Sequence, residues 1–263
     1  LRIRGIENDK RVQAFGSGKN HMIVLPDADL DMAADASVSA AYGAAGQRCM
    51  AISVVVAVGD IGDQLVAKIA RRIPDIVVGS TADSAVQLGP VISPESKQRI
   101  HGFIEGVESS GASLVIDGRL QDDQGGWLVG ASLVDHVKPG MPVYDQEVFG
   151  PVLCIVRAST YKEAMDIVAS HPLGNGAAIF TRDGGAAKRY ADDIQAGMVG
   201  INVPIPVPPW SHSFGGWKAS AFADSKISGP ESLNFHTRIK AIISRWPDPA
   251  ESKVDLGFLK TDS

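Results

Sequence analysis

Residues 41–53 read AYGAAGQRCMAIS, and the next six, VVVAVG, carry the run to Gly59. The segment 51–59, AISVVVAVG, is apolar throughout, rich in β-branched residues and stopped by a glycine. That is the pattern of a strand buried on both faces. Immediately upstream, PDADLDMAADASVSAAYGAA offers Asp27 or Asp29 as an N-cap and sets Leu30, Ala33, Ala34, Val38 and Ala41 at helical spacing. Its alanine content favours the helix further. A helix running straight into a fully buried strand is half of an α/β unit.

The alternation continues along the chain. DQLVAKIARRI (63–73) reads as a helix and DIVVG (75–79) as a short strand. Ser93 and Pro94 open a further helix, PESKQRIHGFIEGVESSG, which Gly111 stops. ASLVIDG reads as a strand, GWLVGASLVDHV (126–137) as paired short strands, and PVLCIVRAS as another strand. YKEAMDIVASH and GAAKRYADDIQAG read as helices flanking the strand GAAIFT, and GMVGINV as a last regular strand. The expectation is an α/β fold with a mostly parallel open sheet flanked by helices. Beyond Asn202 the character changes. VPIPVPPW is too proline-rich for a central strand and reads as an extended surface segment. SHSFGGWKAS reads as a loop. RIKAIISRW reads as a late strand on a C-terminal extended arm, with nothing after it to pair with.

Bulk properties narrow the function classes. The chain has 263 residues, 44% hydrophobic and 21% charged, with a net charge of −5. Basic residues are scattered, which speaks against nucleic acid as a partner. No apolar run approaches the roughly 18 residues of a membrane span. Two cysteines do not make a disulfide framework and fit a reducing compartment, so a cytoplasmic location is expected, or the mitochondrial matrix in a eukaryote. The six histidines show no i, i+4 pair, so no zinc site is expected. There is no G-x-S-x-G elbow and no G-x-G-x-x-G fingerprint, and FGSGKN (15–20) has the wrong spacing for a phosphate loop.

The two cysteines read differently. Cys154 lies inside the apolar strand PVLCIV and reads as structural. Cys49 has two readings. It is either a buried structural thiol or a reactive one. It sits between a helix and a strand, follows small residues that admit close approach, and has Arg48 beside it, whose charge favours thiolate if it points inward. Asp145 and Glu147, between Pro142 and Pro151, read from the residues alone as solvated loop charges.

Taken together, these segments resemble the aldehyde dehydrogenase superfamily. GQRCM is similar to its catalytic-cysteine motif and QEVFGPV to its E-x-F-G-P segment. LGPVIS, GNGAAIFT, AGMVGIN and FGGWKAS match further landmarks in order, from about Gly16 to Trp246. GKNHMIVLPDADLD, GQRCMAIS and VGINVPIPVP resemble the CoA-acylating branch, the methylmalonate-semialdehyde dehydrogenases. The resemblance implies NAD-dependent oxidation of malonate or methylmalonate semialdehyde, giving acetyl-CoA or propionyl-CoA and carbon dioxide.

It further implies that Cys49 is the nucleophile, passing through a thiohemiacetal and a thioacyl enzyme, with its own backbone N–H as half of an oxyanion hole. Arg48 would hold the substrate carboxylate and Phe214 would line the substrate tunnel. Glu147 would bind the nicotinamide ribose, and Phe149 would pack near the nicotinamide. One departure is chemically legible. Most members carry a glutamate as deacylating base where this chain has Phe15. An apolar ring cannot act as a base, which fits a coenzyme A thiol as the acyl acceptor.

The resemblance also implies a long N-terminal half, which builds most of the cofactor domain and is not in this sequence. Four divisions are then expected: 1–15, a linker remnant; 16–213, a catalytic domain; 214–246, an arm and oligomerisation strand joining a homo-oligomer; and 247–263, a tail. The chain alone is expected to be inactive in redox. Two alternatives stand beside this reading, a cofactor-independent cysteine esterase or acyl transferase, and a non-catalytic assembly protein.

Overall fold

Four strands with almost no exposed residue fix the architecture. They are β1 (Asn20–Val24), β2 (Ile52–Val58), β5 (Val152–Ala158) and β7 (Gly176–Phe180). The structure, a computed structural model, describes residues 1–120, 126–222, 226–246, 248 and 250. Because side chains on both faces of these strands are apolar, each must be covered on both sides, which a parallel sheet with helical crossovers achieves. The strands lie in the order β5-β2-β1-β7, each parallel to its neighbour. On one flank β4 (Ser132–Asp135) adds parallel to β5, and β3 (Ser113–Ile116) pairs antiparallel to β4. On the other, β8 (Met198–Ile201) adds parallel to β7 and completes a seven-stranded sheet. The expected mostly parallel α/β sheet is therefore present.

The helices are α1 (Arg2–Ile6), α2 (Leu30–Tyr42), α3 (Gly62–Arg72), α4 (Pro94–Ser109), α5 (Pro142–Asp145), α6 (Tyr161–Ser170), α7 (Gly184–Asp193) and α8 (Pro230–His236). Of the two candidate caps for α2 it is Asp29 that serves, accepting from the Asp31 and Met32 N–H groups. Asp27 accepts instead from Thr181 Oγ1 and the Arg182 N–H, tying the end of β1 to the end of β7. Alanines 33, 34, 40 and 41 face the core, so α2 lies close on the sheet, and Tyr42 donates to the Ser132 carbonyl at 3.0 Å.

Several expectations are corrected. DIVVG forms no strand; Val78 makes only a single bridge to Leu88. In 126–137 only β4 enters a ladder; just before it the Gly130 N–H donates to the Gly118 carbonyl outside any ladder. The loop SHSFGGWKAS contains a two-residue strand, β9 (Trp217–Lys218), antiparallel to β6 (Leu173–Gly174). RIKAIISRW is not a strand. Arg238–Trp246 joins no ladder among the described residues and lies open, with Ile239 and Trp246 94% and 93% exposed. The sequence reading also did not identify β1, the strand that joins the two halves of the sheet. Apart from Asp248 and Ala250, the expected tail 247–263 lies outside the described residues. No described helix is long and apolar enough to cross a membrane.

Candidate functional site

Parallel strands start at the same edge of a sheet, so the segments leading into β1, β2, β5 and β7 converge there. They are Gly16–Lys19, Cys49–Ala51, Glu147–Pro151 and Asn175. The residues that the sequence singled out on or next to two of these segments, Arg48, Cys49, Glu147 and Phe149, are thereby brought to one place.

The cysteine loop has an unusual backbone. After α2 ends, Ala44 and Ala45 take left-handed conformations at φ 53° and 54°, and Gly46 follows at φ 66°. Non-glycine residues there are strained and persist only where the surroundings hold them. Gly46 explains the hold, because a Cβ on it would lie 2.1 Å from the Gly150 carbonyl oxygen. The cysteine loop thus rests directly on the backbone of the Glu147 loop, where Phe149 is itself left-handed at φ 49°. Arg48 to Ala51 then close a turn through the Ala51 N–H and the Arg48 carbonyl at 3.0 Å.

Cys49 occupies the tip of this turn and is exposed, whereas Cys154 is fully buried. Of the two readings of Cys49, the buried structural thiol is therefore excluded by geometry. The Cys49 carbonyl points inward and accepts from Asn20 Nδ2 at 2.9 Å and Asn175 Nδ2 at 2.8 Å. Its N–H has no hydrogen-bond partner among the described residues. Gly18 passes so close that a Cβ there would lie 3.0 Å from the same carbonyl oxygen. An exposed thiol beside an open N–H can attack an electrophilic carbonyl and receive the developing oxyanion.

The half-buried carboxylate of Glu147 is fixed through one oxygen, which accepts the Gly18 N–H at 3.0 Å. Its other oxygen has no partner among the described residues. Behind it Lys19, 1% exposed, donates to the carbonyls of Val143 at 2.7 Å and Gln146 at 2.9 Å. Burial lowers the Lys19 pKa. His21, Tyr144 and His171 stack edge to face beneath, with His21 Nε2 3.1 Å from the Tyr144 hydroxyl. Burial, reinforced by His171 and Lys19, pushes the His21 pKa down to about 3, so this imidazole is neutral.

Arg48 does not point inward. Its guanidinium folds back along the C-terminal end of α2, where a Cβ on Gly43 would lie 2.7 Å from Nη1. The unpaired carbonyls of a helix end favour a cation there, and the glycine leaves room for it. Arg48 borders both a groove of about 340 Å³ shared with Asp35, Ser39 and Arg72 and the cleft that Glu147 and Phe149 line. Phe214 lies half-buried at the far side of the β9 loop and does not line that cleft. Sequence reasoning from the residues missed Lys19, Asn20, Asn175, Tyr144 and His171 as part of this region. The only signal for Lys19, Asn20 and Asn175 was their position directly before or at the start of buried strands, and Tyr144 in α5 and His171 at the end of α6 carried none.

Residues 3–242 match the profile of the aldehyde dehydrogenase family. The chain belongs to that family. It is 47% identical over 250 residues to the malonate-semialdehyde dehydrogenase of Pseudomonas aeruginosa, covering 94% of this chain and 50% of that protein. The crystal structure of a methylmalonate-semialdehyde dehydrogenase from Oceanimonas doudoroffii superposes with a TM-score of 0.90 at 47% identity, covering 93% of this chain and 51% of that one. A provisionally named methylmalonate-semialdehyde dehydrogenase from Sinorhizobium meliloti 1021, complexed with NAD, gives 0.91 at 49% identity, covering 94% and 51%. The chain spans about half the length of the curated relatives it matches.

Proposed function

We propose that this chain is the nucleophile-bearing part of an NAD-dependent, CoA-acylating dehydrogenase acting on malonate or methylmalonate semialdehyde. The observation that carries the reading is the exposed Cys49 thiol, on a strained turn clamped between β1, β7 and the Glu147 loop. The thiol adds to the aldehyde carbon, forming a C–S bond, while the Cys49 N–H stabilises the oxygen that gains charge. Arg48, whose guanidinium makes no hydrogen bond among the described residues and reaches the cleft border, swings to the substrate carboxylate.

The residues present fit NAD. Glu147 keeps one carboxylate oxygen open for a ribose hydroxyl, and the Phe149 ring, 37% exposed, offers an apolar face on the same loop. When bound, NAD supplies the hydride acceptor for the oxidation. Phe15, exposed and apolar where most family members carry a glutamate, cannot activate water. That favours coenzyme A, an intrinsically good sulfur nucleophile, as the group that takes the acyl chain. A cytoplasmic homo-oligomer, assembled through the arm, completes the proposal.

The test uses this chain joined to the half that its relatives carry beyond it. Malonate semialdehyde, NAD and coenzyme A are expected to yield NADH, acetyl-CoA and carbon dioxide, and Cys49→Ala to abolish all three. The 263-residue chain alone is expected to form no NADH. Turnover that survives Cys49→Ala contradicts the proposal.

A further inference from the structure

The carbonyl of Cys49 accepts two side-chain amides, and nothing in the turn itself calls for them. Asn20 Nδ2 bridges the carbonyls of Cys49, at 2.9 Å, and Ala51, at 2.8 Å, while its Oδ1 accepts the Gly176 N–H at 2.9 Å. Asn175 Nδ2 reaches the same Cys49 carbonyl at 2.8 Å and lies 3.2 Å from Met50 Sδ. The two donors come from the starts of adjacent strands, β1 and β7, whose register is locked by parallel pairing from His21↔Ala177 onward. Both residues are buried.

A carbonyl oxygen has two lone pairs, and here two fixed N–H donors use both. With its carbonyl held inward from two directions, Cys49 cannot rotate about its own backbone. Its thiol and its open N–H are then directed together to the outside. Left alone, a short turn that follows two left-handed alanines would relax.

We propose that Asn20 and Asn175 are positioning residues for Cys49, holding its thiol and N–H in the relative orientation that carbonyl attack requires. The inference rests on the reading of Cys49 as nucleophile. It adds that the geometry comes from this pair of carboxamides rather than from the loop. Displacing a reacting group by about 1 Å costs on the order of 10²-fold in rate, whereas an electrophile that develops no oxyanion is indifferent to where the N–H points.

Two probes of the 263-residue chain separate these effects. With p-nitrophenyl acetate, the Cys49 sulfur forms a bond to the acyl carbon and p-nitrophenolate leaves with the electron pair of the broken C–O bond. The burst of p-nitrophenolate reads the acylation rate. Iodoacetamide reads simple displacement of iodide at the same sulfur. Asn175→Leu, which keeps the branched outline but is larger and lacks the donor, is expected to slow acylation on the order of 10²-fold and alkylation less than about threefold. Asn20→Ala is expected to do the same.

Asn175→Ala repeats the measurement should the leucine not be accommodated. Equal losses with both probes, or none with either, overturn the proposal, since a merely structural role moves them together. A burst that persists in Cys49→Ser removes the nucleophile reading itself. A burst that vanishes there while the asparagine variants acylate normally removes only the positioning role.

Discussion

At the scale of single residues, the two cysteines of this chain have opposite surroundings, and their chemistry follows. Burial raises the pKa of Cys154 and seals it among strand side chains, while Cys49 stands on an open turn. Arg48 would favour the thiolate only by pointing inward, and it lies along the helix end instead. Its proposed role is therefore tied to substrate charge. In the extended enzyme, Arg48→Leu is expected to lower kcat/KM for malonate semialdehyde about 10–100-fold, the worth of a hydrogen bond to a charged group. An uncharged aldehyde of similar size should lose little, and equal losses remove Arg48 from recognition.

His21 gives a second residue-scale prediction. Its folded pKa of about 3 lies below the ordinary imidazole value of 6.5, so the unfolded chain takes up a proton that the folded one refuses. Its contribution is intact above pH 6.5 and is lost as pH falls towards 3, by on the order of 5 kcal/mol over the whole span. Burial lowers the pKa of His171 as well, which adds to the same slope. Between pH 6.5 and 5, where carboxylates stay ionised, denaturation midpoints should fall for the native chain and fall less for His21→Asn. Parallel slopes contradict the assignment.

At the scale of elements, the site stands at the amino ends of four parallel strands, while ligands of open α/β sheets usually lie beyond the carboxyl ends. The helix-to-strand alternation was legible because α2, β2, β5, α6 and β7 carry their periodicity in long apolar or amphipathic runs. β1 was not. Its segment NHMIV is short and begins with two polar residues, and the preceding Lys19 is buried too; their partners, Val143, Gln146 and Tyr144, lie more than a hundred residues away. For the same reason the convergence of Cys49 with Glu147 was legible only through resemblance to a family, not from spacing. Contact between the two loops depends on Gly46. Gly46→Val combines a left-handed φ with a clash against the Gly150 carbonyl. It is expected to cost roughly 2–4 kcal/mol of stability in denaturant titration and to abolish the p-nitrophenolate burst. A variant as stable and reactive as the parent contradicts the packing described.

At the scale of the whole molecule, the C-terminal arm is the feature that the isolated fold leaves unexplained. Arg238–Trp246 exposes Ile239, Ile242, Ile243 and Trp246, each more than three-quarters exposed, on a segment that enters no ladder among the described residues. An apolar edge of that kind invites pairing with another chain. The reading as an oligomerisation arm predicts that Ile239→Lys with Ile243→Lys shifts the sedimentation coefficient towards the monomer without changing the circular dichroism. An unchanged oligomer moves the interface elsewhere.

The identity of the attacking atom underlies all of this, and peptide mass spectrometry after limited exposure to iodoacetamide tests it most directly. The account predicts a carbamidomethyl group on Cys49, an unmodified Cys154, and loss of the p-nitrophenolate burst in step with labelling. Burst activity that survives complete alkylation of Cys49 would contradict it.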